Sequence, residues 1–209
     1  MSELRVMTLS VGSSGAGIEA LGEFVRSCVP DVLLVQAAPQ FLRWRSKRAA
    51  IARVCGLVVA TADRPGGLCV MTALRVDVVD TSFSLLTKES RRLESAISAA
   101  TVRSGGVMSR VASMQLGADA GERRLQLPAL VSALSAGSTV PLVVGGILNE
   151  GPGQPVFDEV AERWPCCLAA PATGPALFAD RSLSVVSCEA VGGGAGGQPQ
   201  GVLAVLGLA

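Results

Sequence analysis

The chain has 209 residues, 49% of them hydrophobic and 17% charged, with a mean hydropathy of +0.47. That composition excludes an intrinsically disordered chain and suits one α/β domain over residues 1–209. The 18 basic and 17 acidic side chains leave a formal charge of +1, so no long-range field draws the chain to nucleic acid or an anionic membrane. Histidine is absent, which excludes imidazole metal sites, Ser-His-Asp and Cys-His triads, and a histidine general base.

Residues 4–11 read as a buried strand, followed by a turn at Gly12-Ser13-Ser14-Gly15. Glu3 and Arg5 break the opening apolar run, so no signal peptide is expected, and no stretch reaches the length of a membrane span. Ile18, Leu21, Val25 and Cys28 recur at helical spacing until Pro30. Val32 to Val35 lacks alternation and suits a strand covered on both faces. A basic helix is predicted from Gln40 to Cys55, with Arg43, Arg45, Lys47, Arg48 and Arg53 around Trp44, Ile51 and Val54. Its cations read as a solvated face, as do those of Lys88 to Arg92.

Strands are expected at 56–61, 68–73, 75–80 and 106–114, with a hairpin turn at Pro65-Gly66-Gly67. Asp119-x-x-Glu122 is a capping-box pattern heading a helix through Leu125, Leu130, Val131 and Leu134. Val140 to Val144 reads as another strand, and a short helix follows near 156–163. Two last strands, about 183–190 and 201–208, flank a linker at Gly192–Gln200. Helices alternate with strands early and strands run consecutively in the middle, which predicts a four-layer α/β/β/α sandwich of two packed sheets flanked by helices.

The six cysteines, Cys28, Cys55, Cys69, Cys166, Cys167 and Cys188, show neither CxxC spacing nor secreted-scaffold density. They read as reduced, mostly buried residues of a cytoplasmic protein, with the vicinal Cys166-Cys167 pair as a candidate for exposure. The Gly-rich segment Gly12 to Gly17 lacks the lysine of a P-loop.

Six segments in order resemble the strands of the endonuclease/exonuclease/phosphatase superfamily. These are Leu4 to Val11, Asp31 to Pro39, Ser109 to Gly117, Pro141 to Glu150, Ala176 to Asp180, and the closing run from Gln198. The flanks, including Phe41 to Ala50, are similar to actinobacterial members. The resemblance implies an Asn and a Glu holding Mg²⁺ in the first two segments and a phosphate-positioning His in the third. It further implies an Asp-x-Asn in the fourth and an Asp-His pair activating water in the last.

This sequence departs from that pattern wherever the chemistry sits. The Asn position is Ser10, and the Glu position is Ala37, beside Gln36. The His position is Gln115, and Asp-x-Asn has become Ile147 with Asn149 retained. The Asp of the fifth strand falls at Pro175, and the Asp-His pair at Gln198 and Pro199. Loss of one transition-state group costs about 3–4 kcal/mol, and here ligand, base and orienting acid go together.

The expectation is therefore a catalytically degenerate member of the fold with no metal and no cofactor. It would bind a neutral small molecule or a protein partner in the old cleft, with Gln36, Gln115 and Asn149 either orienting that ligand or satisfying buried backbone groups. One alternative is a metal-independent enzyme, for example one that cyclises or rearranges a natural-product intermediate in secondary metabolism. A second alternative is a residual Mg²⁺ phosphodiesterase. Glu150, the carboxylate nearest these positions, reads as a loop residue rather than a substitute ligand.

Overall fold

The computed structural model describes residues 2–11, 17–61, 65–86, 95–136, 139–169, 174–192 and 199–208. The turn at residues 12–16, the charged loop 88–92 and most of the Gly192–Gln200 linker lie outside the described residues.

The first sheet is built from β1 (Ser2–Ser10), β2 (Val32–Gln36), β3 (Val58–Val59), β4 (Cys69–Thr72), β11 (Ser184–Gly192) and β12 (Pro199–Leu208), in spatial order β11-β12-β1-β2-β4-β3. The second contains β5 (Asp77–Leu85), β6 (Ala96–Ser104), β7 (Val107–Gln115), β8 (Leu142–Ile147), β9 (Cys166–Ala169) and β10 (Ala176–Ala179), in order β5-β6-β7-β8-β10-β9. At the centre of each sheet two strands run parallel, β1 with β2 and β7 with β8, and the other pairings are antiparallel.

Strand alternation sorts the side chains into three cores. Leu4, Val6, Leu34, Val111, Val143, Leu177 and Ala204 point inward and fill the space between the sheets. Met7, Leu9, Leu33 and Val35 point outward against Leu21 and Val25 of α1 (Ile18–Cys28) and Ile51 and Cys55 of α2 (Trp44–Cys55). On the other side Ala112, Met114, Val144 and Phe178 pack under α3 (Ala120–Ser135) and α4 (Pro155–Arg163). The result is the four-layer α/β/β/α sandwich.

Several elements differ in extent from their sequence signal. The basic helix begins at Trp44 rather than Gln40, β5 extends to Leu85, and β6 and β9 are strands without a counterpart in the pattern reading. Residues 65–67 lie in the connection between the antiparallel strands β3 and β4, where the sequence predicts a hairpin turn, with Gly66 at φ 72° and Gly67 at φ 59°. In α3 the Asp119 side chain accepts from the Glu122 amide, as the capping pattern requires. The buried stripe of that helix is Arg123, Gln126, Leu127, Leu130 and Leu134, whereas Leu125 is 79% exposed. Two polar side chains take places in the stripe that a hydrophobic count gave to Leu125. No described helix is long and apolar enough to cross a membrane.

Candidate functional site

The parallel pairs of the two sheets end together, with Ser10 beside Gln36 and Gln115 beside Ile147. Ser10, Gln36, Gln115 and Ile147 are each two or four residues on from inward-facing positions, so all four lie on the inner faces at one mouth of the sandwich. Pro175 is buried immediately before β10, whose Ala176 pairs with Gly146. Pro199 begins β12, next to β1. Gln198 lies outside the described residues.

Just below this mouth the core turns polar. Thr8, Gln36, Ser98 and Ser113 are all fully buried. Gln36 folds back into the sandwich: its Nε2 donates to Leu34 O at 3.1 Å and to Ser113 Oγ at 2.9 Å, and its Oε1 accepts from Thr8 Oγ1 at 3.2 Å. Ser113 in turn donates to Val35 O at 2.9 Å. The amide of Gln36 is thus used up in joining the two sheets, which is the structural alternative for this residue. Gly145 makes the close approach possible, since a Cβ there would lie 2.7 Å from Thr8 Cβ.

Asn149 adopts φ 55° in the left-handed region, which an Asn tolerates, and its Nδ2 donates to Leu116 O at 2.9 Å. Ala37 holds a similar φ of 54° with no such side-chain compensation and is exposed at the mouth. Gln115 differs from the other two amides: its Oε1 is buried and has no hydrogen-bond partner among the described residues.

Glu150 is 7% exposed, and both of its oxygens are engaged. Oε1 pairs with Arg123 Nε at 2.9 Å, while Oε2 accepts from the Val156 and Phe157 amides at the start of α4. A carboxylate at that position satisfies the orphan amides of the helix and its dipole together. Arg123 also donates to Gly117 O and Ala118 O, fastening the segment after β7.

A second buried arginine ties down the opposite rim. Arg48 of α2 is 1% exposed and donates to Pro39 O at 3.0 Å and to Leu68 O at 2.9 Å, linking the segment after β2 to the one before β4. The sequence reading missed Thr8, Ser113 and Arg123 as parts of this region. The first two were within reach, each lying two residues before a singled-out position on its own strand.

No family model matches the chain, and no curated protein does. Solved structures do. An endonuclease/exonuclease/phosphatase from Bacteroides vulgatus superposes with a TM-score of 0.78 at 11% identity, covering 100% of both chains. The human Nocturnin catalytic domain, solved with a sulfate anion, gives 0.73 at 14% identity over 98% of this chain and 94% of its own. The mannosyl-6-phosphatase of Bacteroides thetaiotaomicron gives 0.76 at 11% identity over 98% and 100%. With its two six-stranded sheets between paired helices, the chain has the fold of the endonuclease/exonuclease/phosphatase structures it superposes on.

Proposed function

We propose that the mouth of the sandwich is a degenerate phosphoesterase site that does not hydrolyse phosphoesters with Mg²⁺ and instead binds a neutral small molecule. The observation that carries the reading is Gln115 Oε1, a buried acceptor without a donor among the described residues. Leaving such a group unsatisfied costs about 1–3 kcal/mol, and an O–H or N–H of a ligand would recover that. A phosphate group, rich in acceptors, would not.

The donor set agrees. A hard divalent cation is held by carboxylate oxygens. The positions at the mouth offer the hydroxyl of Ser10, the methyl of Ala37, the alkyl chain of Ile147 and amides, two of which already bond to the protein. The adjacent carboxylate, Glu150, is neutralised by Arg123 and turned to the N-terminus of α4. These residues do not fit Mg²⁺.

The test is calorimetric titration of the full chain with Mg²⁺ and Mn²⁺, alongside hydrolysis of bis(p-nitrophenyl) phosphate with and without EDTA. The expected result is no binding heat and no EDTA-sensitive hydrolysis. Uncharged hydroxyl- and amide-bearing compounds should raise the melting temperature, and Gln115→Leu should remove that effect. Stoichiometric metal binding with metal-dependent cleavage would overturn the reading.

A further inference from the structure

The strand β9 forms one edge of the second sheet and β11 one edge of the first. Along this seam β9 and β11 lie against each other, and Cys167 of β9 and Cys188 of β11 pack against the same core between the sheets, near enough for their thiols to interact. Cys166, the next residue along β9, packs instead against the core under α3 and α4. All three are half-buried and unbridged. The vicinal pair is therefore split by strand alternation, and the short-range partner of Cys167 is 21 positions away in sequence rather than adjacent.

We propose that Cys167 and Cys188 are a redox-responsive pair that closes into a disulfide joining the two sheets on exposure to a low-molecular-weight disulfide. The inference is independent of what the mouth of the sandwich binds. Cys188 is the attacking sulfur: the hydrogen bond from Cys167 stabilises its thiolate and holds its pKa below the ordinary value, against the opposing effect of burial. Its thiolate attacks one sulfur of the reagent RSSR, forming a mixed disulfide and expelling RS⁻.

Cys167 is held above its ordinary pKa, first by that same hydrogen bond to Cys188 and then by burial and the neighbouring thiol charges. Once Cys188 is capped, its negative charge and its demand for the Cys167 proton both vanish. Cys167 then loses its proton to solvent and attacks Cys188 Sγ, forming the Cys167–Cys188 bond and expelling the second RS⁻. Two thiols are oxidised by two electrons, and RSSR is reduced to two RSH, the two cysteine protons ending on the two leaving thiolates. Cys166 is not the resolving sulfur. Burial pushes its pKa up to about 11, and it lies on the other face of the strand.

The experiment treats the reduced full chain with oxidised glutathione, quenches with acid, and maps peptides by mass spectrometry without reductant. A loss of two hydrogens from the intact mass is expected, with a linked peptide joining Cys167 to Cys188. The melting temperature should rise by about 5–10 °C and return with dithiothreitol. C188S should abolish the link, whereas C166S should retain it. A glutathione adduct that persists on Cys188, a link through Cys166, or no mass change in the wild-type chain would each overturn the proposal, and none of these readouts depends on a variant folding.

Discussion

Gln36 Nε2 lies 2.9 Å from Ser113 Oγ, a hydrogen bond that passes from one sheet to the other between two side chains fully out of solvent. The Ser113 hydroxyl donates in turn to Val35 O, back on the strand of Gln36. The two sheets are therefore stitched by a short polar circuit just where the apolar packing between them ends. Replacing Gln36 by Leu takes the side-chain acceptor from the buried Thr8 hydroxyl and removes one of the two hydrogen bonds of Ser113. The expected loss is about 1–3 kcal/mol in urea unfolding. Adding Ser113→Ala should recover part of it, because the two sites share one circuit.

The Arg123–Glu150 pair makes a stronger demand. Both side chains are nearly inaccessible, at 7% and 4%. Glu150→Ala would strand a buried guanidinium and also uncap α4, so a loss of about 3–5 kcal/mol is expected. The double variant R123M/E150L should be more stable than E150A alone. Equal stability of the two would mean that the charge of Arg123 is not what the carboxylate compensates.

The outward turn of Leu125 separates the two readings of α3. Leu125→Lys should change stability by no more than about 0.5 kcal/mol, since that side chain is 79% exposed. Leu130→Ala, at a fully buried position, should cost about 2–5 kcal/mol. Thermal or urea unfolding of the two single variants is sufficient.

Alkaline pH should weaken the fold through its buried thiols. Burial raises Cys55 and Cys166 from 9.0 to about 11 in the folded chain. Between those values the unfolded chain has lost protons that the folded chain keeps, so stability is full below pH 9 and declines as pH rises toward 11. Urea midpoints taken across this interval should fall. The fall should be smaller in a C55A/C166A chain than in the wild type.

Much of the architecture was legible because the pattern was strong. β2 opens on the unbroken apolar run Val32 to Val35, and every one of its residues is buried. The Asp119 cap and the Pro30 stop likewise mark helix ends through local chemistry alone. β6 was not legible. Its sequence, AISAATVRS, is dominated by small residues with weak alternation, and it becomes a strand by lying between β5 and β7.

At the mouth of the sandwich, the positions Ser10, Ala37, Gln115 and Ile147 could be found from family resemblance, whereas their roles could not. That Gln36 bends inward, or that Glu150 is claimed by α4, depends on partners 77 and 6 residues away that only the folded chain brings into reach. Local pattern carries no trace of such pairings.

The missing side chain of Gly145 sets the spacing of the two sheets just inside their strand ends. Because nothing projects from position 145 toward Thr8, the opposing β-layers close to backbone-and-hydroxyl distance there. Alanine at position 145 would act as a wedge rather than a filler, prying the layers apart at the level of Thr8 and Leu34. The fit between the two halves of the sandwich at this end is thus governed by a residue that has no side chain to contribute.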